Sequence, residues 1–177
     1  GILSVATIIG EAAMKENLYI KQAEVHGMSQ RGGDVQSNLR ISSDPINSDL
    51  IALGQADVII SLEPMEALRY LPYLNKNGWI ITSSTPFVNI SNYPDIEKLK
   101  SDYAKLKNVI LFDVDQLAKE NNISRSANVI LLGAAQKALG IEYDKLEGAI
   151  RRVFARKGDV IVDANIKALA IGKAVQE

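Results

Sequence analysis

Residues 56–70 read "ADVIISLEPMEALRY": a β-branched apolar run turns at a proline into helical spacing. The run "DVIISLE" (57–63) lacks the polar alternation of a half-exposed strand, which marks a strand covered on both faces. Pro64 has its φ preset for a first helical turn and no N–H to leave unsatisfied there. The same kind of run recurs at "GWIITSS" (78–84), "NVILFDV" (108–114) and, towards the start, "LYIKQAEV" (18–25). "DVQSNLRIS" (34–42) alternates Val35, Ser37, Leu39 and Ile41 and reads as a half-exposed or edge strand. Helical spacing fills 2–16, 64–74, 95–106, 115–121, 126–139, 143–155 and 159–175, with Asp95 or Pro94 starting the third helix and Gly140 stopping the fifth. Strands alternating with helices predict an α/β fold: a three-layer, Rossmann-like, mostly parallel sheet flanked by helices. The helical last fifty residues are expected to cover one face, and 1–177 to form a single domain.

Composition narrows the function. A net charge of −1 over 177 residues gives no field that would gather nucleic acid or an acidic membrane, and neither is expected as a partner. No apolar run approaches the ~18 residues of a membrane span, and no signal peptide is visible, so a cytoplasmic location is expected. The chain has no cysteine, which excludes disulfides, a thiolate nucleophile and iron–sulfur ligation by its own residues. Its one histidine excludes a multi-histidine metal site.

That histidine lies in "EVHGMSQRGGDV" (24–35), beside three of the twelve glycines. Gly27, Gly32 and Gly33 allow positive φ and close backbone approach. His26 can donate, accept or hold a proton near neutral pH, and Arg31 offers a planar fork to phosphate or carboxylate. Ser29 and Gln30 add neutral hydrogen-bonding groups. The residues admit two readings, a binding site or a tight turn with a solvated arginine. Glu63 and Glu66, at the passage from strand to helix, suit capping and the positive end of the helix dipole better than acid–base chemistry. Ser126 and Asn128, with Arg125 just ahead, suit the start of the helix 126–139. "IRRVFARKG" (150–158) reads as a solvated basic helix end. The turn-rich stretches 42–55 and 84–94 exceed the usual two to six residues of such connections, as functional loops do. Gly1 opens at once onto Ile2, Leu3, Val5, Ala6 and Ile9 in helical spacing, so a strand and a loop are expected ahead of it.

"AEVHGMSQRGGDVQSNLRIS" (23–42) and "ADVIISLEPMEALRYLPYL" (56–74) together resemble the small, gamma-type subunits of the 2-oxoacid:ferredoxin oxidoreductases. "SDPINSDLI" (43–51), "NISNYP" (89–94) and "RSANVILLGA" (125–134) extend the resemblance over nearly the whole chain. Members of that family begin with a strand and a turn of the type Gly-x-Gly-Gly-Gln-Gly. Gly1 matches the last glycine of that turn, which implies that the family's first strand is missing here. The resemblance implies a subunit of an enzyme that oxidatively decarboxylates an aryl pyruvate, such as indolepyruvate, to its acyl-CoA and carbon dioxide. An alpha subunit would carry thiamine diphosphate, magnesium and iron–sulfur clusters, and electrons would pass to ferredoxin. Coenzyme A would be the acyl acceptor, and this chain alone would be inactive. Under this reading Gly1 contacts an anionic group of coenzyme A. His26 and Arg31 would serve the reaction, and Gly27, Ser29, Gln30, Gly32 and Gly33 would complete the site. The alternative is a docking or regulatory module of a related pyruvate or 2-oxoglutarate complex, with no site residues of its own.

Overall fold

A computed structural model of the chain describes residues 1–26 and 34–176. In order, the elements are α1 (Ile2–Lys15), β1 (Tyr19–His26), β2 (Val35–Ser42), β3 (Ala56–Ser61), α2 (Pro64–Arg69), β4 (Leu74–Ser83), α3 (Ile96–Ala104), β5 (Val109–Phe112), α4 (Val114–Glu120), α5 (Ala127–Leu139), α6 (Tyr143–Phe154) and α7 (Asp159–Ala174). Turns of 3₁₀ helix cover Leu71–Tyr73, Ser124–Ser126 and Ala155–Lys157.

β3, β4 and β5 form a parallel sheet in that order, each crossover carrying a helix. Successive residues of each strand go to opposite layers, because the pleat alternates side chains across the sheet. Val58, Ile60, Ile81, Ile110 and Phe112 pack into the large core built by α1, α5, α6 and α7. Ile59, Ile80, Val109 and Leu111 pack into a smaller core with Ala67 of α2 and Tyr103 of α3. The middle of each strand is therefore apolar on both faces, and the three-layer α/β architecture read from the sequence is the one observed.

Three expectations need correction. "LYIKQAEV" is not a buried strand of the parallel sheet: β1 pairs antiparallel with β2 alone, and Tyr19 and Val25 are half exposed. Only eight residues separate His26 from Val35, too few for the crossover that parallel pairing demands. The helix expected over 64–74 ends at Arg69; Pro72 sits in the following 3₁₀ turn, and β4 already begins at Leu74. Ser126 stands at the N-cap of α5 without a capping side-chain bond.

Two other caps are as expected. Asp95 accepts from the Lys98 amide at 3.0 Å, and Gly140 ends α5 in the left-handed region at φ 66°. The half-exposed reading of β2 also holds, since Asn38 is its one buried residue. No helix among the described residues is long and apolar enough to cross a membrane.

Candidate functional site

Parallel pairing brings Ser61, Ser83 and Phe112, the last residues of β3, β4 and β5, to one edge of the sheet. Ligands in open α/β sheets bind beyond such carboxyl ends. Beyond this edge, and along the side of β3 that faces β2, lies a cleft of about 900 Å³. Neither β2 nor β3 has a strand partner on its cleft side among the described residues.

Glu63 organises the rim. Ser61 Oγ donates to the Glu63 carbonyl at 2.7 Å and turns the chain out of β3. The Glu63 Oε2 then accepts the Glu66 amide at 2.8 Å and caps α2, while its Oε1 accepts the Phe87 amide at 3.3 Å and the Tyr93 hydroxyl. A capping carboxylate was legible in the sequence; its grip on the 84–94 loop was not. The start of that loop is tied through Thr85. Its hydroxyl donates to Asp113 Oδ1 at 2.9 Å, and its amide donates to Ser83 Oγ at 3.2 Å. Asp113 also accepts the Gln116 amide at 2.8 Å, so one carboxylate caps α4 and anchors the loop.

A second polar pair closes the wall nearer β2, where Tyr70 donates to Asp34. Burial, then the carboxylate partner, pushes the hydroxyls of Tyr70 and Tyr93 above their ordinary values, so both stay protonated donors. Tyr103, whose hydroxyl donates to the Pro64 carbonyl at 2.5 Å, is raised chiefly by burial. Glu66 is raised too. Burial outweighs the pull of Arg69, 3.3 Å away, and the charges of Asp34 and Glu63 add to it. Its Oε2 is buried without a hydrogen-bond partner among the described residues.

Gly1, the N-cap of the fourteen-residue α1, lines the same cleft. Its carbonyl accepts from Asn128 Nδ2 at 3.0 Å, and a side chain at Gly1 would press on Leu62 Cδ1 at 3.0 Å. Arg125 lines the same end of the cleft and makes no ion pair among the described residues. Asn128, read as a helix-start residue, thus also fastens the start of the chain to α5.

The structure therefore gathers Gly1, Arg125, Asn128, Glu63 and Glu66 around one cleft. His26 closes the β1–β2 ladder opposite Val35, which lines the cleft, so its backbone lies beside the cleft wall. Gly27, Ser29, Gln30, Arg31, Gly32 and Gly33 lie outside the described residues. Sequence reasoning passed over Asp34, Tyr70, Thr85, Tyr93 and Asp113. The length of the 84–94 loop was a fair signal for two of them. Nothing local ties Tyr70 to Asp34, because their meeting depends on how the hairpin lies against α2. Among the described residues no group of three or more His, Asp or Glu is placed to hold a metal ion.

The family model described as pyruvate ferredoxin/flavodoxin oxidoreductase matches residues 1–175. Indolepyruvate oxidoreductase subunit IorB of Pyrococcus horikoshii is 36% identical over 188 residues, covering 100% of this chain and 91% of that protein. Among solved structures, the 2-oxoglutarate:ferredoxin oxidoreductase of Magnetococcus marinus, with 2-oxoglutarate, coenzyme A and succinyl-CoA bound, superposes with a TM-score of 0.74 at 20% identity. That match covers 99% of this chain but only 29% of the larger one. The gamma subunit of a keto/oxoacid ferredoxin oxidoreductase from Geobacter sulfurreducens matches with a TM-score of 0.67 at 22% identity, over 97% of this chain and 89% of that one.

Proposed function

From a chain that belongs to the pyruvate ferredoxin/flavodoxin oxidoreductase family, we infer a single-domain, gamma-type subunit of a 2-oxoacid:ferredoxin oxidoreductase acting on indolepyruvate or a similar aryl pyruvate. The observation that carries this reading is the 36% identity to the indolepyruvate oxidoreductase subunit over the whole of this chain. The reaction is oxidative decarboxylation to the acyl-CoA and carbon dioxide, with electrons passing to ferredoxin. Without cysteine this chain offers iron–sulfur clusters no ligand, so they belong to an alpha subunit together with thiamine diphosphate and magnesium. Catalysis then requires both chains, in the cytoplasm.

What this chain adds is a wall of the site open to coenzyme A. The first amides of α1 point away from the helix towards an approaching anion, and Arg125 supplies a cation at the same end. In this reading Gly1 and the α1 N-terminus contact a phosphate. Arg31 adds a second anion contact, with His26, Ser29, Gln30 and the backbone of Gly27, Gly32 and Gly33 completing the site.

The test is reconstitution with the large subunit. Indolepyruvate-dependent ferredoxin reduction should require both chains and coenzyme A. Arg31→Ala and His26→Ala should raise the coenzyme A KM or lower kcat. Turnover by either chain alone, or a clear preference for pyruvate, overturns the substrate reading; wild-type constants in both variants overturn the site.

One observation favours the docking alternative. Asp34, Glu63, Glu66 and Asp115 line the same cleft, and their charge opposes a phosphate. Beside those carboxylates a protein partner is the better fit than coenzyme A.

A further inference from the structure

The loop between β4 and α3 combines two properties that seldom occur together. Its apolar side chains face water, yet its backbone is pinned at several points. Phe87 is 67% exposed, Val88 63% and Ile90 40%, and Ile96 at the start of α3 is 43% exposed. A loop with solvated apolar side chains has no packing of its own to order it. Here the order comes from polar clamps: Thr85 to Asp113 and Ser83, then the Phe87 amide and the Tyr93 hydroxyl to Glu63.

The groups that clamp the loop, Glu63 and Asp113, are both acidic, and Asp95 and Asp115 add to them. Arg69 and Lys100 are held by Glu66 at 3.3 Å and Glu97 at 2.9 Å, and Arg125, without an ion pair among the described residues, is the cation that lines the same cleft. A pinned loop loses little further freedom on binding, which is what makes exposed aromatic and aliphatic side chains effective anchors.

We propose that loop 84–94, clamped by Glu63 and Asp113, is the docking element through which this chain engages its catalytic partner subunit, and that its counterpart is an apolar pocket rimmed by lysine or arginine. The charge complementarity names the rim, and Phe87 and Val88 name the pocket. The inference rests on the reading of this chain as a subunit. Glu63 is a positioning residue here: it touches the loop and shapes what the partner meets.

The test uses the whole chain and the large subunit of the indolepyruvate enzyme, with the Kd followed by sedimentation or calorimetry. Phe87→Asp should weaken the complex about 30-fold or more, the scale of an anchor worth 2 kcal/mol. Val88→Ser, which leaves every clamp intact, should weaken it several-fold. Val160→Ser, at an 84% exposed apolar position on α7, should leave Kd unchanged. Wild-type affinity should fall as salt rises, because the rim contacts are charged. Tyr93→Phe removes one clamp and should weaken binding while leaving the apolar side chains in place. Wild-type affinity in both Phe87→Asp and Val88→Ser overturns the docking surface yet leaves the subunit reading standing. Failure of the wild-type chain to form any complex overturns the subunit reading and this inference with it.

Discussion

The α5–α7 contact and the carboxyl edge of the sheet are built on opposite principles. Between α5 and α7 the two backbones meet directly: a methyl at Gly172 would fall against the Ile130 carbonyl and the Ala134 amide, and one at Gly133 against the Leu169 carbonyl. Around them Val129, Ile130, Leu131, Leu132, Ala168 and Leu169 are fully or almost fully excluded from water. Such an interface tolerates no added volume, because nothing there can move aside. The carboxyl edge is held instead by single polar contacts from Glu63, Asp113 and Asp34 to hydroxyls and amides. Each of these is replaceable one at a time. Stability is concentrated in the helical body, and shape at the site is set by a few exchangeable hydrogen bonds, so the site can vary while the body stays fixed.

The largest effect should come from filling the contact. Gly172→Ala puts a methyl group onto backbone rather than onto a movable side chain, and should cost about 3 kcal/mol or more. For a chain of this size that is a fall in Tm of roughly 10 °C or a failure to accumulate folded protein. Gly10→Ala is the matched control. It lies within α1 with open space where the methyl would stand, and should raise stability by about 1 kcal/mol through helix propensity alone. Equal responses at the two glycines, read in parallel thermal melts, would refute the close-contact account.

Glu63→Ala strikes the other region. It removes the α2 cap and leaves the partly buried Tyr93 hydroxyl without its acceptor, for about 2 kcal/mol in total. The informative reading is local. Hydrogen exchange at the Phe87 amide should accelerate well beyond what the global loss explains, while α5 and α7 amides follow global stability. A uniform acceleration across the chain would mean that the edge is not separable from the body.

The same division decides what could be read from sequence. Runs such as "DVIISLE" and "NVILFDV" announce the sheet because their central residues pack into a core on each face, and Gly140 announces the end of α5 because its backbone needs a left-handed residue. Caps at Glu63 and Asp95 were legible because they act within four residues. In β1 apolar content does not mean burial, and the short connection to β2 is the better guide to its antiparallel pairing. Tyr70–Asp34, Tyr93–Glu63 and Thr85–Asp113 join residues 36, 30 and 28 positions apart, so they exist only once the sheet has folded. Gly1 and Asn128, 127 apart, are the extreme case.

The smallest effect separates the two regions by pH. Glu66 sits on the edge with its carboxyl raised, chiefly by burial and further by Asp34 and Glu63, against the pull of Arg69. A raised value in the fold means that the fold favours the protonated acid. The contribution is complete below the unfolded value and is lost as pH rises through the folded one. Glu66→Gln fixes the side chain in its neutral form. It should therefore match the wild type in acid, below the ordinary carboxylate range, and become the more stable of the two as pH approaches neutrality. Arg69 would lose its partner in the variant, but that pair is exposed on the arginine side and is worth little. Substitutions in the α5–α7 contact should instead shift stability by the same amount at every pH, since no ionisable group is buried between the two glycines and their backbone neighbours. A pH-independent offset in Glu66→Gln would show that packing, rather than the proton, governs that position.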